Sequence, residues 1–218
     1  MDIFHILAGF IVGLLVGLTG VGGGSLMTPI LLIFFNQPAA VAVGTDLLYA
    51  AITKSAGIFA HGKLGNIDWR IVRLLAFGSI PASILTTVLL GNMNIASESV
   101  VATIKFWLGI ALMLTALSVI FRKQLASLSK SRHWVNTKNA PTLTVLLGTA
   151  LGSLVTLTSV GAGALGVTAL LILYPKVSIT KIIGTDVAHA VPLTLVAGLG
   201  HVSLGTVDYS LLGTLLIG

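Results

Sequence analysis

Apolar residues along this chain fall into long blocks, roughly 3–35, 38–60, 69–90, 100–121, 142–174, 179–200 and 209–218. Short polar breaks rich in turn and cap residues separate them: Asn36-Gln37-Pro38, His61 to Asp68, and Gly91 to Ser99. A single membrane span needs about 20 residues at about 1.5 Å rise. Blocks 38–60, 69–90, 100–121 and 179–200 fit that length and predict transmembrane helices. Pro38, just after Asn36-Gln37, suits the first turn of one of them. The pattern predicts an all-α, polytopic membrane protein.

Blocks 3–35 and 142–174 are too long for one untilted span and too short for two full ones. Each carries a glycine cluster near its middle, and each Gly disfavours a helix interior by about 1 kcal/mol relative to Ala. Two readings remain open: a re-entrant hairpin of two short helices, or one long tilted or broken helix.

The first cluster, Thr19-Gly20-Val21-Gly22-Gly23-Gly24, recurs as Thr158-Ser159-Val160-Gly161-Ala162-Gly163, 139 residues later. Val43-Gly44-Thr45-Asp46 recurs as Ile183-Gly184-Thr185-Asp186 at an offset of 140. His61, Leu64-Gly65, Asp68 and Trp69 match His201, Leu204-Gly205, Asp208 and Tyr209 at that same offset. The chain therefore reads as two copies of one membrane unit. Repeat 1 is 1–121, with helical segments 3–35, 38–60, 69–90 and 100–121. Residues 122–140 link it to repeat 2, 141–218, with segments 142–174, 179–200 and 209–218 onward. Repeat 1 runs about 52 residues beyond Trp69, whereas nine follow Tyr209, so two closing helices are expected to be missing, the alternative being an unusually short variant.

Composition agrees: 56% of residues are apolar and only 8% charged, against about 25% charged in soluble domains. Mean hydropathy is +1.06. The absence of Cys excludes disulfides and thiolate metal sites. The N-terminus lacks a basic stretch and a small-residue cleavage site, and reads as retained.

The net charge of +6 is a topology signal and not a nucleic-acid footprint. Lys63, Arg70 and Arg73 flank loop 61–68, five basic residues fill 122–138, and Lys176 and Lys181 flank 175–178. Connections 36–37, 91–99 and 201–208 contain neither Lys nor Arg. The first three are therefore expected on the cytoplasmic side and the last three outside. Segment 142–174 would then start and end on one side, as a hairpin does, and loops 61–68 and 201–208 would face opposite sides, making the repeats inverted. Arg122 to Lys138 reads as a solvated linker touching anionic lipid.

These motifs together resemble the TauE/SafE sulfite exporter family over essentially the whole chain. The resemblance implies a plasma-membrane permease for small anions: sulfite, sulfonates or other organosulfur anions. Internal duplication is also a mark of secondary transporters, whose sites lie where the repeats meet. The expected partners are a small anion and the lipid bilayer, with a homodimer compatible and no nucleic acid. No cofactor is implied, and no cluster brings together three metal ligands.

The glycine-rich tips, Gly22, Gly23, Gly24 and Ser25 with Ser159, Gly161 and Gly163, are the candidate anion cradle. Exposed N–H groups at a half-helix N-terminus attract anions, and Gly lets a ligand approach the backbone. Close helix packing by small residues is the competing explanation. Asp46 lies about eight residues into its segment, or about 12 Å deep, and Asp186 matches it. A charge at helix centre costs about 2.5–3.5 kcal/mol, so intramembrane carboxylates mark proton or ion paths; capping a broken helix end is the alternative. Thr45 and Thr185 either donate to the anion or bond back to their own helices. Lys54 is either a counter-charge for the anion or a residue that snorkels to the interface. His189, one turn beyond Asp186, is positioned to share a proton with it or to sit hydrogen-bonded in the core. His61 and His201 are expected to cap helix ends or shape the vestibules.

The expected activity is export by alternating access, driven by the membrane potential or a proton gradient, with substrate between the two glycine-rich tips. A passive anion channel is the alternative, and an intramembrane aspartyl protease a remote one. Gly44-Thr45-Asp46 lacks the second Gly before Asp that such a protease needs, and the chain is not expected to be an enzyme.

Overall fold

A computed structural model describes residues 3–19, 23–132 and 139–218. The architecture is all-α, and the helices among the described residues are α1 (Ile3–Thr19), α2 (Met27–Ile33), α3 (Ala39–Lys63), α4 (Trp69–Gly91), α5 (Glu98–Arg132), α6 (Ala140–Thr158), α7 (Ala164–Leu173), α8 (Ile179–Ser203) and α9 (Tyr209–Ile217). Trp69–Gly91, Glu98–Arg122, Ala140–Thr158 and Ile179–Ser203 are long and apolar enough to cross a membrane. The helix α3 equals α8 in length, 25 residues each, but is more polar because it carries Asp46, Lys54 and Lys63.

Both long apolar blocks are interrupted at their glycine clusters. The first is α1, then a 3-10 turn at Gly23–Ser25, then α2. The second is α6 and α7, joined through Ser159 to Gly163. Ser159 stands at φ +59°, and Gly161 and Gly163 both at φ +129°. Beyond Phe121, α5 continues to Arg132, where the hydrophobic pattern ends the segment at 121. Arg122 to Arg132 contains no Gly or Pro, so loss of apolarity there ends the membrane stretch but not the helix.

Small residues set the tightest packing. A Cβ added at Gly148 would overlap the Leu75 carbonyl, and one at Gly152 the Ser79 carbonyl. Thr156 donates to Ser83 Oγ at 2.8 Å one turn further. Pairs 75/148, 79/152 and 83/156 make α4 and α6 parallel, in contact through a Gly-xxx-Gly face. The equivalent pair in the other half is α1 with α9, where Gly9 meets the Leu215 carbonyl. Each repeat thus packs its first helix on a helix of the other. Between them, α3 and α8 run antiparallel, with Leu48 against Gly198 and Gly57 against Val187.

The core follows this arrangement. Val43, Leu47, Leu193 and Ala197 of α3 and α8 are fully buried, clustered with Val155 of α6 and Ala162 of the second break. Met27 and Leu31 of α2 join Leu211 and Leu215 of α9. The exposed side chains on α1, α4 and α5 include Phe4, Phe10, Phe77, Leu85, Phe106 and Ile120, an apolar exterior suited to lipid.

Candidate functional site

The Gly-Thr-Asp triplet is the local unit from which the site is built. In α3, Gly44 lies against the Thr206 carbonyl and the His201 side chain; in α8, Gly184 lies against the Asn66 carbonyl and His61. A Cβ at either position would collide with that carbonyl, so only Gly admits the loop of the opposite repeat. The following Thr then fastens it. Thr45 Oγ1 accepts the Asp208 N–H at 3.1 Å, and Thr185 Oγ1 accepts the Asp68 N–H at 2.8 Å. Thr185 also donates to the Lys181 carbonyl at 2.6 Å.

Asp68 and Asp208 cap α4 and α9 in turn. Asp68 accepts from the backbone of Arg70 at 3.1 Å and Ile71 at 3.4 Å, and Asp208 accepts from Leu211 at 2.9 Å. The duplicated His-x-x-Leu-Gly pattern forms the matching loops, with Gly65 at φ +67° and Gly205 at φ +68°. His201 is locked between Thr206 Oγ1 at 2.8 Å and the Thr156 carbonyl at 3.0 Å, while His61 Nδ1 has no partner. The Thr45 and Thr185 hydroxyls are therefore engaged by backbone groups in this structure. What the triplet aims inward is its third residue.

Asp46 and Asp186 are 0% and 1% exposed. Asp46 Oδ2 accepts the Thr28 hydroxyl at 2.5 Å; Ser159 Oγ is near the same carboxylate but makes no hydrogen bond, and Oδ1 has no partner. Asp186 sits against Gly166, where a Cβ would overlap its Oδ1, and the Gly163 N–H faces its carboxylate. Its Oδ1 is likewise unpaired. In the repeat alignment Val167 of α7 stands where α2 has Thr28. The two carboxylates thus share a register and differ in their partners.

Lys54, half-buried two turns beyond Asp46, does not run outward to the interface. Its Nζ donates to the Ala162 carbonyl at 3.2 Å, in the second break, with Asp186 as its leading electrostatic neighbour and Asp46 next. The two breaks touch directly, since Gly24 packs against the Ser159 backbone. Gly23 and Gly24 are buried in the 3-10 turn, and Ser25 is half-buried at its end. Gly161 and Gly163 supply the φ of +129° that lets the chain leave α6 and start α7 beside Asp186. Gly22 lies outside the described residues.

His189 is fully buried, with Nε2 bonded to Ser79 Oγ at 2.8 Å and Nδ1 unpaired. No hydrogen bond joins it to Asp186. Arg122 lies in α5, at the start of the stretch that the sequence pattern reads as a linker. Assigned to a solvated linker, it is half-buried, with Nε and Nη2 buried and unpartnered, and Asp186 is its electrostatic neighbour. The available signal was its position, immediately after the apolar run that ends at Phe121. One turn before it, Ser118 Oγ is bonded to the Ala164 carbonyl at 3.0 Å and to Thr168 Oγ1 at 2.6 Å, holding α5 to α7. Among the described residues, no group of three or more His, Asp or Glu is placed to hold a metal.

The family model described as Sulfite exporter TauE/SafE matches residues 5–218. The chain belongs to the TauE/SafE family. It is 40% identical over 220 residues to the probable membrane transporter protein YjnA of Bacillus subtilis, covering all of this chain and 86% of that protein. A second Bacillus subtilis relative, the probable membrane transporter protein YdhB, is 28% identical over 98% of this chain and 84% of its own length. A 70-residue stretch, 30% of this chain and 26% of the relative, is 46% identical to the probable membrane transporter protein MJ0441 of Methanocaldococcus jannaschii. No solved structure matches the chain. As a TauE/SafE protein with four helices among the described residues long and apolar enough to span a bilayer, the chain is a multi-pass transporter of the plasma membrane.

Proposed function

We propose that this TauE/SafE transporter exports small anions, sulfite, sulfonates and related organosulfur anions among them, by alternating access. The observations that carry the reading are the contact of the two glycine-rich breaks at Gly24 and Ser159 and the Lys54 ammonium on the Ala162 carbonyl, with Asp186 and Asp46 as its electrostatic neighbours. Gly22, Gly23, Gly24, Ser25, Ser159, Gly161 and Gly163 form the anion cradle with Lys54. Asp46, Asp186 and His189 serve proton or ion coupling. Thr45 and Thr185 act at one remove, by fixing the register of the two carboxylates.

The proposed frame is two inverted repeats, 1–121 and 141–218, joined by 122–140, with the interrupted segments 3–35 and 142–174 dipping in as hairpins. Antiparallel packing of the equivalent helices α3 and α8 supports this. So do the exchanged bonds Thr45–Asp208 and Thr185–Asp68. Antiparallel equivalents are related by an axis perpendicular to them, which lies in the membrane plane when the helices span it. Substrate sites of inverted-repeat transporters lie at such a midplane junction. Rocking of one repeat against the other would open it to each side in turn.

Counterflow in proteoliposomes tests the reading. Unlabelled sulfite or a small sulfonate inside should accelerate uptake of labelled sulfite from outside. Single-channel currents, or flux indifferent to the anion on the far side, would assign the chain to passive channels. Absence of flux for sulfite, sulfonates, sulfate and carboxylates alike would sink anion transport altogether.

A further inference from the structure

Where the two breaks touch, buried oxygens from three separate elements converge. Asp46 of α3, Thr28 of α2 and Ser159 of the second break are 0%, 0% and 5% exposed. Thr28 Oγ1 donates to Asp46 Oδ2 at 2.5 Å. Gly24 lies one turn before Thr28, and the bonds Leu26 N–H to Gly23 O and Ile30 N–H to Leu26 O keep this stretch helical. The Gly24 Cα and the Thr28 side chain therefore share a face. A Cβ at Gly24 would meet both the Ser159 carbonyl oxygen and Ser159 Oγ. Ser159 thus brings two oxygens from the second repeat toward the Thr28–Asp46 pair of the first. Asp46 Oδ1 and Ser159 Oγ are each buried with no hydrogen-bond partner.

An ionised oxygen buried without a partner is costly. The neighbouring elements do not answer it with a basic group. The Lys54 ammonium of α3 is engaged by the Ala162 carbonyl, and His189 of α8 bonds Ser79. Neither α2 nor the stretch 159–163 contains a charged residue. What surrounds Asp46 Oδ1 is oxygen: the Thr28 hydroxyl, which keeps lone pairs after donating, and the hydroxyl and carbonyl of Ser159. One carboxylate with hydroxyl and carbonyl oxygens suits a hard cation. Its single negative charge balances a monovalent ion, whereas a divalent one would leave an uncompensated buried charge. Mg2+ also keeps several waters, for which the backbone contact at Gly24 leaves little room. Interrupted membrane helices are where transporter backbones coordinate Na+. The second repeat lacks this oxygen set. Val167 stands where Thr28 does, Gly20 is the counterpart of Ser159, and Asp186 Oδ1 lies against the Gly166 backbone instead.

We propose that Asp46, Thr28 and Ser159 form a Na+ site, in which the cation joins Asp46 Oδ1 to the Ser159 hydroxyl and carbonyl. Its ligands come from both repeats, so the cation binds the arrangement in which the two breaks touch and is released when they part. The inference names the ion for the coupling role given to Asp46 above, and it rests on that reading for its part in transport.

Thermal unfolding of the purified full chain in detergent tests the site, with NaCl exchanged for KCl or N-methylglucamine chloride at constant ionic strength. Na+ should raise the unfolding temperature saturably, and more than either other cation. Equal stabilisation by all three overturns the site. Asp46→Asn should abolish the Na+ effect. Ser159→Gly keeps the φ of +59° accessible and removes only the hydroxyl; it should weaken Na+ binding roughly tenfold, about 1.4 kcal/mol. A Na+ effect that survives in Asp46→Asn, or unchanged Na+ affinity in both Ser159→Gly and Thr28→Val, overturns the proposal. Should Asp46→Asn fail to fold, binding of radiolabelled Na+ to wild type and Ser159→Gly carries the test: saturable binding weakened in the variant supports the site, and binding absent from wild type or equal in the two overturns it. Sulfite counterflow by a wild type that binds no Na+ sinks the cation site and leaves anion transport standing. Saturable Na+ binding without flux of any small anion supports the site and ends the transport reading.

Discussion

Gly24 packs its Cα directly against the Ser159 backbone carbonyl, leaving no room for a Cβ. The two glycine-rich breaks therefore meet backbone to backbone, and their separation is set by one missing methyl group. Gly24→Ala should force them apart. Overpacking of this kind costs about 1–3 kcal/mol, and here it also displaces Ser159 from beside Asp46. The expected outcome is a lowered unfolding temperature in detergent together with loss of counterflow. Normal transport by Gly24→Ala would show that the contact between the breaks does not shape the site.

Lys54 is the basic residue whose ammonium reaches the second break, 108 residues away in the chain. Replacing it with Met preserves the aliphatic stem and removes the charge. Because both buried carboxylates lose a cationic neighbour, Lys54→Met should cost transport more than stability. Flux should fall by at least roughly tenfold, about 1.4 kcal/mol, with Lys54→Arg recovering part of it. A snorkelling lysine would predict little change, so tracer uptake by the two variants separates the readings.

The hydroxyls of Thr45 and Thr185 make the same bond from opposite halves. A neutral hydrogen bond contributes about 0.5–1.5 kcal/mol. Thr45→Val and Thr185→Val should therefore lower the unfolding temperature by similar, small amounts. The double variant should lose about the sum, because the two bonds lie in separate loops. Thr185→Val should cost somewhat more, since its hydroxyl also donates to Lys181. If instead either variant abolished anion binding with stability unchanged, the hydroxyls would belong in the anion site and not in the scaffold.

What could be read from the sequence divides along a physical line. Block length, glycine clusters and the repeated Gly-Thr-Asp triplet are local signals. They located three of the four described helices that are long and apolar enough to span a membrane, both helix breaks and the two buried carboxylates. The fourth helix, Ala140–Thr158, falls largely within the block 142–174, which is open to a hairpin reading. Partner choice is not local. The Thr45 hydroxyl meets a backbone group 163 residues away, and nothing beside Thr45 distinguishes that fate from a bond within its own helix. Lys54 lies near the end of an apolar block, where snorkelling costs little, and its inward turn depends on a carbonyl in the other repeat. Arg122 follows the same logic. A charge at the end of an apolar run looks solvated, and nothing local to it shows that its Nε and Nη2 are buried without a partner.

Orientation is the remaining arrangement open to a direct check. The α3 and α8 helices pack antiparallel, so their C-terminal ends, at Lys63 and Ser203, point in opposite directions. Both residues are exposed and hold equivalent positions in the two repeats. The chain contains no Cys, so Lys63→Cys and Ser203→Cys each create one addressable thiol without further engineering. Lys63 lies in a basic loop and Ser203 borders a loop without Lys or Arg, which places the first inside and the second outside. In intact cells a membrane-impermeant maleimide should label Ser203→Cys and spare Lys63→Cys, which should react only after permeabilisation. Labelling of both from one side would require α3 or α8 not to cross the bilayer, and the inverted repeat would have to be abandoned.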